Sequence, residues 1–138
     1  MSKVAIVFWS ATGNTETMAN CIAEGAGANG TIVPCAEMTP AKLAEFDVVA
    51  FGCPAMGAEQ LEESEFEPMF SDLEGSLNGK KIALFGSYGW GDGEWMRGWE
   101  KDCDDSGIRL VCESVTCCEA PDDAALDACR ALGKELAK

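Results

Sequence analysis

The sequence contains no histidine, and none of its eight cysteines forms a Cys-x-x-Cys pair. A Cys–His nucleophile is therefore impossible, and zinc or iron–sulfur sites of ordinary ligand spacing are not expected. Several cysteines lie inside apolar runs, where a free thiol behaves as a small hydrophobic group. We expect reduced, structural thiols, as in a cytosolic protein. The cysteines are Cys21, Cys35, Cys53, Cys103, Cys112, Cys117, Cys118 and Cys129.

Positive charge is also scarce, because 10 basic residues face 24 acidic ones and the net charge is −14. Such a charge repels nucleic acids and anionic membranes over a Debye length of about 8 Å, and it attracts basic proteins. No apolar run approaches the ~20 residues that a membrane span needs. The first residues also lack the features of a signal peptide. We expect a monomeric cytoplasmic protein with one domain over residues 1–138.

Short apolar runs alternate with segments of helical periodicity along the whole chain. This alternation predicts an α/β fold, a three-layer doubly wound arrangement around a five-stranded parallel sheet. The strands are expected at Val4–Trp9, Thr31–Cys35, Asp47–Gly52, Lys80–Gly86 and Ile108–Val115, with a possible continuation of the last strand to Cys118. The helices are expected at Asn14–Ala28, Glu65–Glu74, Glu94–Ser106 and from Pro121 onward, with a short turn or helix at Thr39–Pro40.

The loop Ser10–Thr15, with the sequence S-A-T-G-N-T, joins the first strand to the first helix. Hydroxyls and backbone amides at a helix N-terminus bind anions, and the helix dipole adds about half a positive charge. No Lys or Arg lies between Val4 and Ala28, so neutral donors would hold a phosphate here. The Walker and dinucleotide glycine motifs are both absent. The alternative interpretation is a simple helix start with Asn14 or Thr15 as its N-cap.

Two further loops, Pro54–Glu59 and Ser87–Gly93, follow the third and fourth predicted strands. The carboxyl ends of parallel strands lie at one edge of a sheet, so all three loops should converge there. Tyr88 and Trp90 among glycines predict a platform for a flat ring, with packing against the next helix as the alternative. Met56 would face that slot unless it belongs to the core. A phosphate site, an aromatic slot and no basic residue in any loop indicate flavin mononucleotide (FMN).

Four segments of the chain resemble flavodoxins of the short-chain type, particularly those of clostridia and related anaerobes. The resemblance implies the strand order 2-1-3-4-5, and the long insertion that other flavodoxins carry in the fifth strand is absent. The segments are F-W-S-A-T-G-N-T at 8–15, G-C-P-A-M-G at 52–57, L-E-E-S-E-F-E-P at 61–68 and A-L-F-G-S-Y-G-W-G-D-G-E-W-M-R at 83–97.

The resemblance also implies an FMN site built from the three loops. Trp90 would stack on one face of the ring and Met56 on the other, while Glu59 would accept a hydrogen bond from its N3–H. The carbonyl of Gly57 would turn to accept from N5–H once one electron has arrived. The implied set is Ser10, Ala11, Thr12, Gly13, Asn14 and Thr15 at the phosphate, Pro54, Ala55, Met56, Gly57 and Glu59 in the second loop, Ser87, Tyr88, Gly89, Trp90 and Gly91 in the third, and Glu119 beside the ring.

In function, the resemblance implies a low-potential one-electron carrier rather than an enzyme, with non-covalently bound FMN and redox enzymes as partners. The alternative is an FMN-dependent NAD(P)H:quinone-type reductase on the same fold. The sequence offers no general acid–base pair for such a reductase, and no insertion that would form a second substrate pocket. The acidic stretch Glu59–Glu74 predicts either an ordinary solvated face or a docking surface for basic redox partners.

Overall fold

The structure, a computed structural model, describes residues 3–10, 13–55, 62, 64–77, 79–89 and 93–138. Five strands form one parallel sheet in the order β2-β1-β3-β4-β5, with helices on both faces, and the predicted fold class is confirmed. The strands are β1 Val4–Phe8, β2 Gly30–Pro34, β3 Val48–Gly52, β4 Lys81–Tyr88 and β5 Val115–Cys118. The helices are α1 Asn14–Ala26, α2 Pro40–Leu43, α3 Phe66–Leu73, α4 Glu94–Asp105 and α5 Asp123–Leu136.

Each face of the sheet carries its own apolar core, because successive side chains of a strand point to opposite faces. In β1, Ala5 and Val7 join the cluster under α3 and α4, whereas Val4 and Ile6 join the cluster under α1 and α5. All four side chains are fully buried. A continuous apolar run is therefore the expected pattern of this strand. No helix of the described residues is long and apolar enough to cross a membrane.

Strand β4 continues two residues further than the sequence pattern predicts. Ser87 and Tyr88 were expected to begin the loop, but they pair with Cys117 and Cys118 of β5. The amide of Ala55 also donates to the carbonyl of Ser87 at 2.9 Å. Both residues are therefore held by the sheet, at its carboxyl edge.

The predicted position of the fifth strand is wrong. Ile108–Val115 was expected to pair, but only an isolated bridge joins Leu110 to Ile82, and β5 begins at Val115. The reason is a tether to α4. The amide of Ile108 donates to the Cys103 carbonyl at 2.8 Å, and the Ser114 hydroxyl donates to Glu100 at 2.7 Å. The strand lies instead at Val115–Cys118, which the sequence pattern had left open as a continuation.

Helices α1 and α5 pack closely through two glycines. A Cβ added at Gly133 would lie 2.0 Å from the carbonyl oxygen of Ile22, and one added at Gly25 would lie 2.0 Å from that of Arg130. Backbone atoms cannot yield to such a contact as a flexible side chain can. The glycines therefore set the distance between two helices that cover the same core.

We predict that Gly133→Ala lowers the free energy of unfolding by about 2 kcal/mol, because the two helices must separate to admit the methyl group. Gly98→Ala is the matched control, since Gly98 lies in α4 with no atom near its missing Cβ. There the better helix propensity of alanine should add up to about 1 kcal/mol. Urea denaturation of the three proteins measures both effects. Equal stability of the two variants would contradict the prediction.

Candidate functional site

The carboxyl ends of β1, β3 and β4 lie at one edge of the parallel sheet, as predicted. The described members of the predicted set are Ser10, Gly13, Asn14, Thr15, Pro54, Ala55, Ser87, Tyr88, Gly89 and Glu119. The other members lie outside the described residues, namely Ala11, Thr12, Met56, Gly57, Glu59, Trp90 and Gly91.

The N-terminus of α1 is capped in a way that the sequence did not predict. The N-cap is Gly13, with φ 93° and ψ −7°, rather than Asn14 or Thr15. Glycine suits this position because a left-handed φ strains residues that carry a Cβ. The Ser10 hydroxyl oxygen accepts from the amide of Gly13 at 3.1 Å and from that of Glu16 at 3.4 Å. Neither bond uses the proton of Ser10, which stays available to donate.

Two amides of the same helix end remain for a ligand. Within the part of the chain that the structure describes, the amides of Asn14 and Thr15 have no acceptor. They belong to the first turn of a helix of 13 residues, whose dipole favours negative charge there. The arrangement is suited to an anion that is bound by amides and hydroxyls.

A buried pair of hydroxyls lies beside this helix end. Thr15 is 1% exposed and Ser87 is 4% exposed, and their hydroxyl oxygens are 3.3 Å apart. One hydroxyl donates to the other, which leaves one of the two protons without a partner in this pair. Buried polar groups usually have their hydrogen bonds satisfied. The spare proton is therefore a donor that an oxyanion or a hydroxyl of a ligand can use.

Strands β3 and β4 approach each other closely where they enter this edge. A Cβ at Gly86 would lie 2.3 Å from the carbonyl oxygen of Cys53, and one at Gly52 would lie 2.2 Å from the Phe85 ring. The indole N–H of Trp95 donates to the same Cys53 carbonyl at 3.2 Å. The start of the second loop is thus fixed to β4 and α4. Cys53 and Trp95 were not among the predicted site residues, and only these contacts reveal their supporting role.

Tyr88 and Glu119 are brought together at the far side of the edge. The amide of Glu119 donates to the Tyr88 carbonyl at 2.6 Å, and Glu119 has a positive φ of 59°. The Tyr88 ring is half-buried, with its centroid 5.5 Å from that of Trp95 in α4. For Tyr88, packing against the following helix is therefore observed. The Glu119 side chain is exposed, so its carboxylate adds negative charge at this edge.

Glu62 is a buried acid, although the sequence placed it in a solvated acidic stretch. Its side chain is 6% exposed and accepts from the amides of Ser64, Glu65 and Phe66 at 2.9, 2.7 and 2.9 Å. The Ser64 hydroxyl is a fourth donor. Burial alone raises the pKa of Glu62, but these hydrogen bonds outweigh it and lower the pKa from 4.5 to about 2. The carboxylate is therefore charged at neutral pH.

The thiols of the described residues belong to no cluster of potential metal ligands, and several of them are buried. All eight cysteines are unpaired, and no group of three or more potential metal ligands occurs in the described part of the chain. Burial raises the pKa of Cys53, Cys103 and Cys129 to about 12. These thiols stay protonated and pack as apolar groups.

Comparison with known proteins gives consistent matches along the chain. The flavodoxin family model matches residues 6–133. The chain is 46% identical over 138 residues to the flavodoxin of Megasphaera elsdenii, covering 98% of each sequence. It is 44% identical over 135 residues to that of Clostridium beijerinckii, covering 96% of this chain and 97% of the relative.

Solved structures agree with these matches. The two-electron reduced flavodoxin of M. elsdenii, solved in solution, superimposes with a TM-score of 0.87 at 46% identity, covering 97% of this chain and 98% of that one. Oxidised flavodoxin 2 of Bacillus cereus superimposes with a TM-score of 0.84 at 28% identity, covering 98% and 97%.

We predict that the stabilisation from Glu62 depends on pH. Its pKa is lower in the folded protein, so the stabilisation is complete above about pH 4.5 and is lost as the pH falls from 4.5 toward 2. Glu62→Gln should lower the free energy of unfolding by about 2 kcal/mol at pH 7. This gap, the difference in free energy of unfolding between the variant and the wild type, should narrow as the pH falls below 4.5.

Urea denaturation at several pH values between neutral and about 3 measures this gap. Glu45→Gln is the matched control, because Glu45 is exposed and makes only a surface ion pair with Lys42 at 3.7 Å. Glu45→Gln should change the free energy of unfolding by no more than about 0.5 kcal/mol. A gap for Glu62→Gln that is independent of pH would contradict the prediction.

Proposed function

Because the chain belongs to the flavodoxin family, whose members bind FMN and carry electrons, we propose that it is a low-potential carrier of single electrons between redox proteins. Residues 1–138 would act as one FMN-binding domain, as a monomer in the cytoplasm. The observation that carries the proposal is an anion site of amides and buried hydroxyls with no cation among its residues. The family and the relatives described above do not favour the quinone-reductase alternative.

The residues at the carboxyl edge fit the phosphate end of FMN. The amides of Asn14 and Thr15, which have no acceptor among the described residues, would donate to phosphate oxygens. The Ser10 hydroxyl would also donate, because it only accepts in its bonds from Gly13 and Glu16. The Thr15–Ser87 pair supplies one more proton from beneath. Ala11, Thr12 and Gly13 would complete the loop around the phosphate.

The ring end would be formed by residues of the second and third loops. We propose that Met56 and Trp90 stack on its two faces, that Glu59 accepts from N3–H, and that backbone groups of Gly57 and Gly91 lie at its edge. Pro54, Ala55, Tyr88, Gly89 and Glu119 would frame this part of the site. When bound, FMN supplies the one-electron chemistry, and the protein sets its orientation and potential.

Charge is the means by which this chain would lower the potential. Glu119 at the edge is exposed, and the predicted site set contains no Lys or Arg. Carboxylates near the site oppose the arrival of further negative charge, and no cation among these residues offsets them. Distant charges of the −14 total are screened by salt and contribute less.

The exposed acidic side of α3 would be the docking surface for basic redox partners. Glu67 and Asp72 are exposed on α3, and Glu65, its N-cap residue, is exposed as well. The buried Glu62 does not belong to this surface. Opposite charges on two partners accelerate and orient their encounter more than they tighten the final complex.

We predict that Thr15→Val weakens FMN binding about tenfold, because one buried hydrogen-bonding hydroxyl is lost at nearly constant volume. Thr31→Val is the matched control, since Thr31 is exposed on β2, away from the site, and its variant should bind as the wild type does. Fluorescence titration of the apoproteins with FMN measures the dissociation constants. The absence of flavin binding by the wild type would contradict the proposed function itself.

We predict that electron transfer to a basic redox partner slows as the ionic strength rises from about 0.01 to about 1 M, because screening shortens the Debye length about tenfold. Glu67→Gln should slow the reaction at low salt more than Glu45→Gln does. Glu45 precedes β3 and so lies at the amino ends of the strands, away from the carboxyl edge. Stopped-flow kinetics measures these rates. Rates that do not depend on salt would argue against electrostatic docking.

A further inference from the structure

Two buried residues join the ends of the segment that connects β3 to α3. The chain leaves β3 through Cys53 and returns at Glu62, so that the 54–61 segment contains eight residues. The amide of Glu62 donates to Sγ of Cys53 at 3.4 Å. Cys53 and Glu62, the two residues that flank this segment in the sequence, are therefore in contact.

The Cys53 end of this contact is fixed to the sheet. Cys53 is fully buried, its amide donates to the Phe85 carbonyl at 3.2 Å, and its carbonyl accepts from Trp95. Burial keeps its thiol protonated, so the sulfur accepts from Glu62 as a neutral group. Ala55, two residues further on, is also bound to β4. This end has little freedom to move.

The Glu62 end is fixed to α3 by its own carboxylate. Three consecutive amides at the start of the helix donate to it, and the Ser64 hydroxyl is a fourth donor. The carbonyl of Glu62 also accepts from the amide of Glu67 at 2.9 Å. A buried carboxylate is costly unless it is hydrogen-bonded, so moving Glu62 would break several favourable bonds at once.

We propose that Glu62 is a positioning residue for the cofactor, because its bonds to Cys53 and to the start of α3 fix both ends of the stretch of sequence that contains the proposed ligands Met56, Gly57 and Glu59. The inference rests on the proposed function, because those three residues are proposed ligands of FMN. Glu62 acts through the segment and does not itself contact the cofactor. Glu62 is buried, whereas the acids that would serve docking are exposed.

Glu62 would act on binding through the fraction of molecules in which both ends of this stretch, at Cys53 and at the start of α3, are fixed. An apparent dissociation constant rises in inverse proportion to the fraction of protein that is competent to bind. If loss of the carboxylate leaves the contact between Cys53 and Glu62 intact in about a tenth of the molecules, FMN binds about tenfold more weakly.

The test compares the FMN dissociation constants of apoprotein variants by fluorescence titration. Glu62→Gln should raise the constant about tenfold, whereas Glu45→Gln, which removes an equal charge elsewhere, should leave it unchanged. Thr39→Ala controls for stability, because it removes the hydroxyl that caps α2 by accepting from the Lys42 amide at 3.2 Å. It should lower the free energy of unfolding without weakening FMN binding.

Cys53→Ala tests the other end of the contact and keeps the proposal testable if Glu62→Gln does not fold. Its matched control is Cys103→Ala, which removes another fully buried thiol, in α4. Cys53→Ala should weaken FMN binding more than Cys103→Ala does, because only the former leaves the Glu62 amide without its sulfur acceptor.

The outcomes separate this inference from the function on which it rests. Wild-type protein that binds no FMN would overturn both. Wild-type protein that binds FMN, with Glu62→Gln or Cys53→Ala as tight as their controls, would overturn the positioning role alone. Unchanged binding with a reduction potential shifted beyond that of Glu45→Gln would also overturn it, because Glu62 would then act through its charge.

Discussion

The close approach of β3 and β4 is the constraint on which the carboxyl edge depends. Glycine at positions 52 and 86 lets the Phe85 ring and the Cys53 carbonyl occupy the space that a Cβ would take. Because the strands are this close, Ala55 can bond to Ser87, and Trp95 can reach the Cys53 carbonyl. Ser87 in turn meets Thr15 at the start of α1. Three chain segments are thereby positioned by one local packing arrangement.

The sequence predicted well the features that depend on burial of both sheet faces. β1, β3 and β4 are continuous apolar runs with helices on either side, and their observed bounds differ from the predicted ones by no more than two residues. The fifth strand was misplaced because it is an outermost strand of the sheet. Its position is decided by its single partner strand, β4, and by the tether to α4. Hydrophobic pattern contains neither piece of information.

That residues distant in sequence would meet at the carboxyl edge could also be predicted, for a physical reason. Parallel strands bring their carboxyl ends to one edge, so residues as distant in sequence as Thr15 and Ser87 could be assigned to one place. What the sequence could not show was the direction of individual side chains. Ser10 caps α1, the Tyr88 ring packs on Trp95, and Glu62 is buried while Glu65 and Glu67 are exposed. These differences follow from three-dimensional contacts between segments, which a local pattern does not encode.

The N-termini of α3 and α1 present the same kind of hydrogen-bond donors, backbone amides, but to different acceptors. At α3, three amides bind the carboxylate of Glu62, which shows that amides and one hydroxyl can hold a buried anion without a cation. At α1, Ser10 takes only two amides, and those of Asn14 and Thr15 have no acceptor among the described residues. The start of α3 is thus satisfied by its own chain, whereas the start of α1 leaves two amides that an external anion can use. Since both rely on fixed dipoles rather than on Lys or Arg, binding an anion at α1 adds its negative charge to an edge that the protein leaves uncompensated.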